Sequence, residues 1–270
     1  MNIYPDIHLD TQLDTQPDTQ LNTQLDVHLE SHHGHSSSKY IKNIIYGGID
    51  GIITTFSIIA ASYGAGLDIK YIIAMSVANL VADGFSMGMG DYISSYFESQ
   101  YILSEKTKEE IEFINNNEYE IEEMKQLYIK EGFDTEDSLK IVELLLSKEI
   151  YKPIFIKNMV RMELDLELPD SNHKLIIKKE ALVTFLSFIF FGFIPVLSYI
   201  IFYSSGYEND MNIFIINCFI TTITMFSLGV LQASITKQKK IKGGIILTIN
   251  GVVATGLAFI IGYGLDKLIV

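Results

Sequence analysis

Five apolar runs dominate the chain: residues 44–63, 72–93, 182–203, 211–235 and 243–265. Each reaches the roughly 20 residues that a helix needs to cross a bilayer. The expected fold class is therefore an all-α membrane protein with five transmembrane helices. The last three runs carry no charged side chain, but the first two do. Asp50 lies in the first, and Asp83 and Asp91 lie in the second with Asn79 and Met87. An ionised carboxylate at membrane depth costs about 2.5–3.5 kcal/mol even on lenient insertion scales, and it is normally kept where it faces a partner, a cavity or an ion. Carboxylate oxygens suit hard cations, whereas thioether sulfur attracts softer transition metals. The mixture points to a divalent transition metal crossing a membrane.

If the first span runs one way and the second returns, Asp50 lies six residues from residue 44 and Met87 six residues from residue 93. At 1.5 Å per residue both sit about 9 Å inside the same membrane face. Asn79, Asp83, Met87 and Asp91 follow at steps of four, a slowly drifting stripe that can line one path, with Asn79, Asp83 and Asp91 as the pathway or proton-coupling candidates. Gly47, Gly48 and Gly51 surround Asp50, and Gly84, Gly88 and Gly90 surround Met87. Small residues let membrane helices approach closely and leave room for an ion.

The apolar content of 48% is too high for an ordinary soluble domain, and the net charge of −13 comes from outside the spans. It arises mainly from residues 98–170 and the N-terminal tail, which argues for cation binding and against nucleic acid. Cys218, the one cysteine, reads as an apolar filler in the fourth span. The polar start of the chain resembles no cleavable signal peptide, so the first span is expected to direct insertion. Residues 1–38 read as a disordered low-complexity tail built on a four-residue repeat over 9–32, closing with His28, His32, His33 and His35. Lys39 and Lys42 precede the first span, and Lys237, Lys239, Lys240 and Lys242 separate the fourth from the fifth. The loop between the third and fourth holds Glu208 and Asp210 and no basic residue. With five spans, both basic flanks fall on one side, which places the N-terminus and residues 98–178 in the cytosol and the C-terminus across the membrane.

The domain plan is thus spans one and two over 39–97, a helical insertion over 98–178, and spans three to five over 179–270. Periodic apolar residues predict insertion helices over 99–115, 118–131, 136–150 and 154–166, with Gly132 ending the second and Asp134 or Thr135 capping the third. Glu105, Glu109 and Glu112 share a face of the first, Glu120 and Glu123 a face of the next, and Met159 precedes Glu163 by one turn on the last. Like charges at such spacing destabilise a helix by a few tenths of a kcal/mol per pair, a penalty that a divalent cation removes. A solvated acidic face is the plainer explanation of such a run. No nucleophile–base pair or phosphate loop suggests an enzyme, and nothing calls for a cofactor. The rival to a transporter is a membrane-anchored metal sensor, which would need only the acidic helices.

Four segments, DGIITTFSIIAAS (50–62), ANLVADGFSMGMGDYISSYFE (78–98), NMVRMELDLELP (158–169) and INGVVATGLAFIIGYGLD (249–266), resemble the vacuolar iron transporter family. The resemblance runs from Lys39 to the C-terminus, and the acidic, Asn-rich insertion and tail look like those of apicomplexan members. It implies a homodimer in an acidic, vacuole-like organelle, exchanging cytosolic Fe²⁺, with Mn²⁺ and Zn²⁺ as rivals, for lumenal protons. By the same resemblance Asp50 and Met87 correspond to membrane ligands at the dimer seam. Glu109, Glu112, Glu120, Glu123, Met159 and Glu163 correspond to cytosolic ligands. Val160 stands where some members have a second methionine, and Asn79 where some have a membrane glutamate, which shifts proton coupling toward Asp50 and Asp83.

Overall fold

A computed structural model describes residues 33–206 and 210–269. The chain divides into two units, Met1–Ile41 and Lys42–Val270, and both sites discussed below lie in the second. Eight α-helices occur among the described residues: α1 (His33–Gly64), α2 (Ile69–Asn115), α3 (Asn117–Lys130), α4 (Thr135–Leu146), α5 (Lys152–Leu164), α6 (His173–Ser204), α7 (Asp210–Ile235) and α8 (Lys240–Ile269). Five of them, α1, α2, α6, α7 and α8, are long and apolar enough to cross a membrane, in agreement with the five runs. The four-residue repeat, His28 and His32 lie outside the described residues. His33 and His35 fall in the first turns of α1, so the helix begins before the expected domain start at residue 39.

One boundary differs in kind from the sequence reading. The second span and the first insertion helix are a single 47-residue helix, α2. At 1.5 Å per residue it is about 70 Å long, more than twice the ~30 Å hydrocarbon core. The change from apolar to charged residues near Glu98 alters what the helix touches, not its backbone. No Gly or Pro interrupts residues 91–115. Beyond it, Gly132 takes a left-handed φ of 109° after α3, and the Asp134 carboxylate accepts from the Asp137 amide at 2.8 Å to cap α4.

The spanning helices meet where side chains are missing. A Cβ on Gly51 would lie 2.3 Å from the Phe188 carbonyl oxygen, and one on Gly192 would lie 2.8 Å from the Gly51 carbonyl oxygen. Thus α1 and α6 cross backbone to backbone at this pair. The same device joins α7 to α8, where a Cβ on Gly229 would lie 2.6 Å from the Gly243 carbonyl oxygen. Ile52, Phe56, Met225, Leu228 and Leu247 fill the space between these crossings. Outward faces stay apolar, with Phe85, Phe190, Phe219 and Ile260 exposed as a hydrocarbon solvent requires.

The insertion has its own core, made of Phe113, Met124, Tyr128, Val142, Phe155, Ile156, Met159 and Val160. The Phe113 and Phe155 rings lie 5.0 Å apart, and the Asn158 amide donates to the Tyr128 hydroxyl at 3.0 Å.

The glycine crossing yields a direct test. Gly51→Ala should destabilise the protein by about 1–3 kcal/mol, because the methyl group meets backbone that cannot rotate away. Gly90→Ala, where a Cβ meets nothing within 4 Å, should be neutral or slightly stabilising through helix propensity. Thermal unfolding of the two variants in one detergent checks the difference, and equal melting temperatures would contradict the crossing.

Candidate metal centres

Three helices of the insertion bring Glu109, Glu120 and Glu163 together, with one carboxylate oxygen from each within 4.8 Å of the others. The local reason is helical spacing. Glu109 lies one turn before Phe113 on α2, Glu120 one turn before Met124 on α3, and Glu163 one turn after Met159 on α5. Residues four apart share a face, so the stripe that forms the insertion core also aims these three carboxylates at its open end. Glu109 and Glu120 are 4% and 3% exposed, while Glu163 stands at the solvent edge.

Among the described residues none of Glu109, Glu112, Glu120, Glu123 or Glu163 forms an ion pair, and Glu109 Oε2 is buried without a hydrogen-bond partner. Two full charges about 5 Å apart repel by on the order of 3 kcal/mol at an effective dielectric of 20. Burial first, then Glu163, Glu112, Glu120 and Glu123, push the Glu109 carboxyl up to about 7. Burial and neighbouring carboxylates also raise Glu120 and Glu163. Glu163 sits in the last turn of α5, where the helix dipole adds to the repulsion. A site of this composition favours whatever reduces its negative charge, a proton or a cation.

The other predicted insertion residues divide clearly. Glu112 and Glu123 flank the three and act on them electrostatically. Glu105 does not join them: the Lys108 ammonium one turn later takes its carboxylate at 2.6 Å. Met159 is fully buried in the core beneath the carboxylates.

At membrane depth, a cavity of about 250 Å³ is lined by Asp50 and Thr54 of α1, Asp83, Ser86 and Met87 of α2, and Phe188 of α6. At about 30 Å³ per water, that volume admits a cation with part of its hydration shell. The shared depth of Asp50 and Met87 therefore becomes a shared wall. Asn79 reaches the site indirectly, its amide donating to the Asp83 carboxylate. Asp91 does not line this cavity. It accepts from the Asn43 amide at 3.3 Å and the Thr184 hydroxyl at 2.9 Å, tying α1, α2 and α6 together. Eight residues turn a helix by about 80° beyond two full circles, enough to carry Asp91 off the face that holds Asp83.

Thr54, Ser86, Phe188, Asn43 and Thr184 were not singled out from the sequence. Thr54 follows Asp50 by four residues and Ser86 follows Asp83 by three, so helical spacing carried a signal for both. Phe188 and Thr184 come from a span about a hundred residues away, and no local pattern marks them.

The Glu109 shift has a defined consequence for stability. Glu109 binds its proton more tightly folded, at about 7, than at its ordinary 4.5. The resulting stabilisation is complete below about pH 4.5 and is lost as the pH rises through 7. In chelator, the protein should therefore melt at a higher temperature at pH 5.5 than at pH 8. Glu109→Gln, uncharged at both, should narrow that difference. An unchanged pH dependence in the variant would contradict the assignment.

The sequence model of the VIT family matches residues 41–263, from the first span into the fifth. A protein of Plasmodium berghei named vacuolar iron transporter is 37% identical, over 84% of this chain and 83% of its own length. One of Toxoplasma gondii with the same name is 33% identical, over 88% of this chain and 76% of its own length. The vacuolar iron transporter 1 of Arabidopsis thaliana is 25% identical, over 83% of this chain and 85% of its own. With both the family match and these relatives spanning the membrane helices and the insertion between them, this chain belongs to the VIT family.

Proposed function

We propose that this protein carries Fe²⁺ from the cytosol into an acidic, vacuole-like organelle in exchange for protons, working as a homodimer. The observation that carries this reading is the cavity in which Asp50, Asp83 and Met87 face one another at membrane depth. Carboxylates beside a thioether match an ion of intermediate softness, and Mn²⁺ and Zn²⁺ are the competing cargoes. Relatives at 33–37% identity carry the name vacuolar iron transporter, which favours iron. Asp50 is exposed in the single chain. A second copy related by a two-fold axis would cover it and add a second Asp50 and Met87, and two carboxylates neutralise one divalent ion.

The lysines at 237–242 and at 39 and 42 support an orientation with the insertion in the cytosol. There the glutamates of α2, α3 and α5 gather metal at low concentration and raise its supply near the pore. On the acidic side, protons compete for the membrane carboxylates and release the ion. Proton and metal thus exclude each other at one set of oxygens, which makes exchange the natural mode. The acidic cluster alone would also serve a sensor, but a sensor has no use for carboxylates lining a cavity within the spans.

In vesicles that are acidic inside, Asp50→Ala should reduce Fe²⁺ uptake to background while the protein remains folded and dimeric. Met87→Ala should weaken Fe²⁺ uptake more than it weakens folding. Glu109→Ala with Glu120→Ala should slow uptake at low Fe²⁺ and leave it largely intact at high Fe²⁺. Uptake near the wild-type level in folded Asp50→Ala protein would overturn the reading.

A further inference from the structure

The turn between α7 and α8 holds Lys237, Lys239, Lys240 and Lys242, and the stretch from residue 211 to 265 contains no acidic residue. Among the described residues none of these lysines forms an ion pair. The general excess of basic residues in cytosolic loops accounts for lysines at this turn. It does not account for what lies beneath two of them. A cavity of about 690 Å³ opens between the ends of α7 and α8, with Lys239 and Lys242 at its rim. The same cavity is lined by Gln232 and Asn250 and by Ile246 and Leu247.

Gln232 and Asn250 fall inside the apolar runs of their helices. Both are exposed, and neither amide has a hydrogen-bond partner among the described residues. Asn250 lies eight residues, about 12 Å, along α8 from Lys242. Polar side chains at such depth are normally kept for a partner. From the turn inward along α8 the lining runs Lys242, then Ile246 and Leu247, then Asn250, so cations at the mouth give way to aliphatic carbon. Cations followed by aliphatic carbon is the order of phosphate and acyl chain in a phospholipid.

We infer that the cleft between α7 and α8 is a binding site for an anionic phospholipid, with its phosphate on Lys239 and Lys242, its ester region at Gln232, and an acyl chain along Ile246 and Leu247 toward Asn250. The apolar lining between two spanning helices selects a lipid over a soluble phosphate. The orientation proposed above puts the turn in the cytosolic leaflet, where anionic lipids concentrate. The site is separate from the metal cavity, so its occupancy is read without any transport measurement.

The full-length protein in neutral detergent, titrated with phosphatidylserine and observed by native mass spectrometry, tests this. Phosphatidylserine should be retained and phosphatidylcholine should not, and inorganic phosphate should compete poorly. A basic residue at an anionic headgroup contributes about fivefold, so Lys239→Gln with Lys242→Gln should weaken binding about 30-fold. Lys237→Gln with Lys240→Gln removes the same charge outside the cavity lining and should weaken it far less. Gln232→Leu leaves the charge untouched and should weaken binding severalfold. Equal losses in the two lysine pairs would reduce the effect to diffuse attraction and overturn the site. Competition by inorganic phosphate at matched concentration would overturn the lipid assignment, as would equal retention of phosphatidylcholine.

Discussion

Carboxylates held close together, with no basic side chain paired to them among the described residues, set the terms for the rest of this structure. Glu109, Glu120 and Glu163 lie within 4.8 Å on three separate helices. Their mutual repulsion would open the insertion if nothing beneath opposed it. The opposing force is apolar: Phe113, Met124, Phe155 and Met159 are buried under the cluster and hold the three helices at fixed spacing. At about 25 cal/mol per Å² of apolar surface, such side chains contribute roughly 1.5–3 kcal/mol each when fully buried. A few of them outweigh one repelling pair. The result is a site kept unfavourable to empty, ionised carboxylates and favourable to whatever neutralises them.

The continuous α2 helix gives this local tension a wider reach. It carries Asp83 and Met87 at the membrane cavity and Glu109 at the acidic cluster, Glu109 lying about 33 Å from Met87 along one axis. Its membrane half packs on α6, and a Cβ on Gly88 would come within 3.1 Å of the Ala181 carbonyl oxygen. Asp91, bonded to Asn43 and Thr184, pins it between the two sites. A rigid helix fixed at its middle couples the position of the acidic cluster to that of the membrane cavity. The backbone crossing of α1 and α6 at Gly51 and Gly192 completes the frame, since Phe188, one turn before Gly192, lines the same cavity as Asp50.

How much of this the sequence makes legible depends on how local each cause is. The five spans follow from run length and composition alone. The depth match of Asp50 and Met87 follows from antiparallel helices and a fixed rise per residue. Asp91 illustrates the limit. On a helical stripe it belongs with Asp83, yet the drift of 3.6 residues per turn and a partner 93 residues away, Thr184, give it a structural role instead. Glu105 shares a helix face with Glu109 but is neutralised by Lys108, a neighbour that a search for carboxylates alone passes over. The selection of Glu109, Glu120 and Glu163 from a larger acidic set depends on how three helices pack. The shared four-residue offset from a core side chain marks them only once that core is known.

Mutual exclusion of metal and protons at the membrane carboxylates is the core of the proposed exchange. The most direct measurement follows internal pH with a trapped dye as Fe²⁺ enters protein-containing vesicles that begin acidic inside. The account predicts that the interior becomes more alkaline as the metal accumulates, at a rate that scales with Fe²⁺ uptake. It also predicts that both fluxes disappear together in Asp50→Asn protein. Fe²⁺ accumulation with no movement of protons would contradict it.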